Sequence, residues 1–419
     1  MSHVALEGVV SVHAQETASR YETRVAQLRL PHINLVGIGR LDDRLVVHLD
    51  GLAVAGDEAQ RFLDAELDSP GRGAAFAVTV RAIEQGRPES LDRLWTRALE
   101  APSVTDGLVG ALGWVEPGRL QGVVRELLTI TDPARRVVGL AACAMHRTDP
   151  GLTIGAWLED HRAPVRARAP RALGELGLAD LAPRCIGALT DDDSECRFWA
   201  AWSAVLLGNR AAALESLRAT ALTPDAPHHT RAFRLALQAM NLASAHATLR
   251  SVGTDPALRA WLIQGSGIAG DATYVPWLIG LMGNPDAARL AGEAFTLVTG
   301  ADLDALQLWC RQPEDVEPSP TDDPDDENVD LDVSEGLMWP DQTKVDAWWA
   351  SNSHRFAAGQ RYFMGAPVSR EHCIEVLKNG YQRQRILAAH YLCLLNPGTP
   401  LFNTSAPAWR QQRLLAHLI

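Results

Sequence analysis

Small and apolar side chains recur at a constant interval through the middle of this chain. Ala134, Val165 and Cys196 each precede an arginine, and those arginines, Arg135, Arg166 and Arg197, stand 31 residues apart. Val138, Ala169 and Ala200 follow three positions after the arginine, and Ala141, Ala172 and Ser203 six positions after it. An interval near 30 with small residues on one helical face predicts antiparallel helix pairs stacked on one another. The pattern extends to both sides. First helices are expected over Glu58–Leu67, Leu91–Leu99, Leu120–Thr129, Leu152–Asp160, Leu181–Leu189 and Ala211–Ala219. Second helices are expected over Ala74–Glu84, Thr105–Val115, Ala134–His146, Val165–Leu176 and Cys196–Leu207. Asp132-Pro133, Ala163-Pro164 and Asp191–Asp193 mark turns where an acidic side chain can cap the next helix.

Beyond this core the periodicity loosens. Thr230–Met240, Ala257–Gly267, Tyr274–Met282 and Asp286–Val298 read as helices, with Arg259 and Arg289 near ladder positions. Ala14–Leu28 and Leu35–Val54 make two helices ahead of the repeats. Gly139, Gly174 and Gly292 lie inside helices, at about 1 kcal/mol each relative to alanine, and predict close approach between neighbours. After residue 336, Trp339-Pro340-Asp341 starts a helix holding Val345, Trp348 and Trp349; Arg370–Asn379, Gln382–Leu394 and Trp409–Leu418 follow. The fold class expected is all-α: a solenoid of stacked antiparallel helix pairs with a helical C-terminal cap after an acidic linker. The domains read as a helical cap over 1–56, repeats over 57–311, a disordered linker over 312–336 and a C-terminal helical domain over 337–419.

Composition narrows the class. A chain of 419 residues exceeds one ordinary core, and 47% hydrophobic residues suits a folded protein. Mean hydropathy is −0.08, and no apolar run approaches the ~20 residues that span a bilayer. Met1–Arg20 lacks the basic start and apolar run of a secretory signal. Six scattered cysteines without a CxxC pair suit reduced thiols, so a cytoplasmic protein is expected; a Cys185–Cys196 disulfide is the lesser reading. The net charge of −12 is local in origin. Of 51 acidic residues, 11 fall between Pro313 and Glu335, leaving 40 against 39 basic ones elsewhere. A nearly neutral body weighs against non-specific nucleic-acid binding.

Asp160-His161-Arg162-Ala163-Pro164-Val165-Arg166, followed by Ala169, Ala172, Leu173 and Gly174, resembles the HEAT-repeat superfamily in its short bacterial form. Asp132–Cys143 and Asp192–Val205 are weaker copies. The whole chain also resembles a proteobacterial HEAT-like family whose genes accompany type VI secretion spike and effector genes. Leu41-Asp42-Asp43-Arg44-Leu45, His48–Leu52, Trp339-Pro340-Asp341 with Trp348-Trp349, Gly359–Tyr362, Gln382–Arg385, Pro400-Leu401-Phe402 and Trp409–Gln412 carry that resemblance. It implies a genomic setting and transfers no catalytic residue.

Candidate chemistry is sparse. The arginine ladder is either a row of cations for an acidic partner or a set of structural pairs with turn aspartates and helix carbonyls. Twelve tryptophans are many beside five tyrosines. Trp199 and Trp202 share a helix face, and Trp348 and Trp349 point to different faces; each is either a core plug or a partner anchor. Asp322–Asp332 mimics a calcium loop but lacks its mid-loop glycine and closing glutamate. His13 with Glu16 and His372 with Glu375 lie a helical turn apart without HExxH spacing, and His228-His229 reads as a solvent-facing turn. Gly37-Ile38-Gly39 lacks the rest of a dinucleotide fingerprint. No cofactor and no metal are expected. The reading is a non-catalytic protein-binding scaffold, with Arg135, Arg166, Arg197, Trp199, Trp202, Trp348 and Trp349 as candidate contacts. The resemblance implies an adaptor or chaperone for a type VI secretion effector or spike component, without a membrane. The rival readings are a DNA-binding or base-processing HEAT-like enzyme and an immunity protein against a toxin. The acidic linker suits a basic client surface or the ladder arginines.

Overall fold

The computed structural model describes residues 7–67, 71–87, 89–151, 154–314, 316 and 333–418. Most of the acidic segment 312–336, including Asp322–Asp332, lies outside the described residues. The described chain is almost wholly α-helical. In order the helices are α1 (Glu7–Gln27), α2 (Leu35–Ala55), α3 (Glu58–Glu66), α4 (Arg72–Gln85), α5 (Glu89–Glu100) and α6 (Pro102–Trp114). Next come α7 (Gln121–Thr129), α8 (Pro133–His146), α9 (Ile154–Trp157), α10 (Ala163–Leu176), α11 (Ala182–Gly187) and α12 (Ser194–Leu206). They continue as α13 (Ala211–Ala221), α14 (His229–Ala239), α15 (Leu242–Val252), α16 (Arg259–Ala269), α17 (Val275–Leu281) and α18 (Pro285–Thr299). The last four are α19 (Gln342–Asn352), α20 (Arg370–Asn379), α21 (Gln382–Leu395) and α22 (Ala408–Ala416). Two short antiparallel pairings join β1 (Trp309–Cys310) to β2 (Trp339–Pro340) and β3 (Tyr362–Phe363) to β4 (Ala366–Pro367).

These elements form two compact units: 1–29 with 33–203 and 398–419, and 30–32 with 204–397. In the first unit α4, α6, α8 and α10 pack in succession, and α3, α5 and α7 flank them as partners in antiparallel pairs. This is the HEAT-like all-α arrangement that the interval predicts. Local signals set the boundaries. Asp132 caps α8 by accepting from Ala134 N at 2.8 Å, Pro133 takes the first helical position, and Gly177 ends α10 in the left-handed region at φ 71°. Small residues allow close packing. A Cβ on Gly174 would lie 2.5 Å from Ser203 Oγ, and one on Gly139 would lie 2.9 Å from Leu127 Cβ.

The C-terminal segment belongs to the first unit. Asp42, buried in α2, receives Arg24 Nε at 2.5 Å and the Ala408 backbone N at 2.6 Å. Arg410 donates to the carbonyls of Gly113, Trp114 and Val115, closing the exposed end of α6 with a cation where the helix dipole favours one. In the second unit α14, α16 and α18 form the packed row, and α20 and α21 make a further antiparallel pair.

Two segments differ from expectation. Of the helix expected over Leu152–Asp160, residues 154–157 form the single turn α9 and the chain turns after it, with Glu159 N donating to the Ala156 carbonyl, while Leu152 and Thr153 lie outside the described residues. An unforeseen helix, α15, starts where Asn241 caps Ser244 N at 2.9 Å.

Candidate protein-binding site

The ladder is built from a repeated helical position. Arg166 reaches Asp191 with Nε at 2.8 Å and Nη2 at 3.1 Å, and its Nη1 donates to the Asp160 carbonyl at 2.9 Å. Arg197 Nη1 donates to the Asp191 carbonyl at 2.6 Å and to that of Asp192 at 2.9 Å. In the preceding repeat the equivalent contact comes from Arg136, whose Nη2 reaches the Ile130 carbonyl at 2.8 Å and whose Nη1 reaches Asp160 at 2.9 Å. Each guanidinium thus returns to a carbonyl six residues back, and each arginine is the fourth residue of its helix. Arg135 lies one position off this register. It sits over the Trp95 ring at 5.1 Å, with Asp92 and Asp132 each 3.8 Å away. The pairing shows in the acids as well. Hydrogen bonds from Arg162 hold Asp160 well below the usual carboxylate range, and those from Arg166 do the same for Asp191.

The tryptophans are packed to different degrees. Trp199 and Trp202 are each 3% exposed and meet edge to face at 5.4 Å, with Arg171 stacked over Trp199 at 4.3 Å. Trp348 and Trp349 are half-buried, packed on Phe295 and Phe356 at 5.6 and 5.4 Å. The continuation arginines play separate roles: Arg259 opens α16, and Arg289 lies over Trp339 at 5.1 Å.

The titratable candidates do not converge in the expected pairs. His13 Nδ1 stands 3.2 Å from His48 Nδ1, while Glu16 pairs with Arg20 at 2.8 Å. His372 Nε2 meets the Phe363 carbonyl at 2.8 Å, and Glu375 receives Asn379 at 2.5 Å. His229, expected to face solvent, is 6% exposed; it opens α14 and packs against Trp261, ring centres 4.4 Å apart. Its helix begins one residue earlier than expected, and that first turn is part of the core. Cys185 and Cys196 are both free thiols. Among the described residues no group of three or more His, Cys, Asp or Glu side chains is placed to hold a metal ion.

One concavity of about 510 Å³ opens beside α7 in the first unit. Leu120, Val124 and Leu128 face it at helical spacing, and Ala142, Cys143 and His146 of α8 and Trp157 of α9 complete its walls. Arg125 and Asp149 stand at its polar edge. Cys143 and His146, three residues apart, outline a nucleophile and base. Burial pushes the Cys143 thiol up to about 11, so it stays protonated and unreactive at neutral pH. His146 is lowered by burial, and its Nε2 is engaged by the Leu112 carbonyl at 2.7 Å. Sequence reading missed this groove.

A protein-family profile described as HEAT repeats matches residues 153–238. That stretch holds α9 to α14, including Arg166 and Arg197 of the ladder, and the match supports the likeness to the HEAT-repeat superfamily. No curated protein and no solved structure matches the chain. HEAT repeats are a helical-repeat scaffold that often mediates protein interactions. No helix among the described residues is long and apolar enough to cross a membrane.

Proposed function

We propose that this protein is a non-catalytic, cytoplasmic scaffold that holds a segment of a client protein in the groove beside α7. The observation that carries the reading is that groove: an apolar stripe of Leu120, Val124 and Leu128 facing Trp157 of α9, with Arg125 and Asp149 also lining it. A lining of this kind suits the side chains of an amphipathic helix laid along it, with anchors three or four residues apart. The edge balances one cation against one anion, which suits a polypeptide better than a phosphate backbone. The client class that the family resemblance implies is an effector or spike component of a type VI secretion system.

The test is co-purification of the full-length protein with the products of its neighbouring genes, repeated with Val124→Glu and Leu128→Glu. Retention by the native protein and loss by both variants, with unchanged thermal unfolding, is the expected result. A native protein that retains none of them, or variants that retain them fully, would end the proposal.

A further inference from the structure

The hairpin of α1 and α2 brings together two histidines that lie 35 positions apart. Arg24 pairs with Asp42 near the connection, and His13 meets His48 further from it, so the two helices run antiparallel. The Nδ1 atoms of His13 and His48 are 3.2 Å apart, while the ring centres are 5.3 Å apart and the ring planes stand at 62°. The rings therefore turn their Nδ1 edges toward each other and do not stack. Gly51, three residues after His48 on α2, makes room for this. A Cβ there would stand 2.6 Å from His13 Nε2, so only a glycine lets the ring lie against the helix. Both histidines are half-buried, which leaves a flank of the pair open to solvent. Glu16, one turn after His13, pairs with Arg20 at 2.8 Å, and both act on His48. Burial first, and then His13, lowers the His48 pKa below its usual value, so this ring is a neutral imidazole at neutral pH.

Two imidazole nitrogens that face each other this closely share either a proton or an ion. A tetrahedral Zn2+ with two Zn–N bonds of ~2.0–2.1 Å holds its nitrogens ~3.3 Å apart, nearly the separation already present. We propose that His13 and His48 form a binding site for a borderline divalent ion of the Zn2+ class, which joins α1 to α2 through both Nδ1 atoms. The ring that carries the Nδ1 proton moves it to its own Nε2, and each Nδ1 then gives the ion a lone pair. Imidazole suits this class of ion, whereas Mg2+ and Ca2+ take oxygen ligands. The described residues place no third His, Cys, Asp or Glu with the pair, so water completes the shell on the exposed flank. Glu16 nearby adds negative charge that favours a dication. The spacing of His13 and Glu16 pointed to ligands on one helix; the structure supplies the second nitrogen from the next helix instead. Neither histidine lines the groove beside α7, so this site stands or falls without the client proposed there.

The experiment is calorimetric titration of the full-length protein with Zn2+ alone, with thermal unfolding in the absence of metal to establish that each variant is folded. Native protein should bind the ion, and His13→Gln and His48→Gln should each weaken binding at least about tenfold. Should one variant fail to fold, the other carries the test. Binding by native protein should also weaken at least about tenfold between about pH 7.5 and about pH 5.5, because protons compete for imidazole nitrogens. Mg2+ serves as the control and should not bind. No binding of Zn2+ by native protein, a loss of less than about tenfold in a folded histidine variant, indifference to the fall in pH, or equal binding of Mg2+ would overturn the proposal.

Discussion

The arginines of the first unit and those between α14 and α21 of the second carry the same charge in different company. In the first unit Arg24 pairs with Asp42, Arg136 with Asp160, Arg166 with Asp191 and Arg168 with Glu175, all at 2.5–2.9 Å. In the second unit Arg383 pairs with Glu293 at 2.8 Å, and the half-buried Arg234 feels Arg383 and Arg231 as well as Glu293. The difference teaches how to read an arginine in a helical repeat. A guanidinium that returns to its own turn and to the next repeat's aspartate holds the register of the stack. One set beside other guanidiniums, as Arg234 is beside Arg383, has its charged form disfavoured instead.

The sharpest way to break this comparison is at Asp42. Replacing Asp42 by Ala leaves Arg24 buried without its acid and frees the amide of Ala408, and should cost about 3–5 kcal/mol. A urea titration checks it; a loss under ~1 kcal/mol would show that the paired arginines do not hold the first unit.

The two units should also respond differently to acid. His390 has a folded pKa of about 3, depressed mainly by desolvation, against ~6.5 unfolded. Its contribution is therefore present above pH ~6.5 and is lost as pH falls toward 3, because the unfolded chain takes up the proton first. Glu175 behaves as a depressed carboxylate: burial raises it, yet Arg168, Arg171 and Arg147 outweigh that and set it at about 2. Its contribution is lost only between pH ~4.3 and 2. Stability followed from pH 7 to 4.5 should fall by on the order of a few kcal/mol in the native protein, and much less in His390→Asn. Equal curves would remove His390 from the account.

The smallest effects sharpen the contrast residue by residue. Arg166→Ala should cost about 2 kcal/mol through its lost charged hydrogen bonds, and Arg135→Ala under ~1 kcal/mol because its acids lie 3.8 Å away. Arg234→Met should change stability by under ~1 kcal/mol or raise it. Thermal unfolding of the three variants side by side would show the order, and a large loss at Arg234 would erase the distinction.

Much of the fold was legible because its signals are local. Arg370–Asn379 is a helix in both the pattern and the structure, and Asp132-Pro133 starts α8 as its capping chemistry demands. The ladder was legible up to a shift of one. The consecutive pair Arg135-Arg136 hid the register, and counting from the helix start at Pro133 resolves it to Arg136. The groove was not legible, since its walls come from α7, α8 and α9, which meet only in the fold. Nor was the contact between α14 and α21, where Gln238 and His390 meet across 152 positions. The pairing of Trp309–Cys310 with Trp339–Pro340 is too short for any periodic signal.

By itself the sequence determined where helices begin and end, and which faces are small enough to stack, because capping, proline and side-chain size act within a few residues. Tertiary structure alone decided which charges are satisfied. Arg24 finds Asp42 and Asp42 finds Ala408, 366 positions away, whereas Arg234 meets two other arginines. Pairing depends on distance in space, and no interval along the chain encodes it.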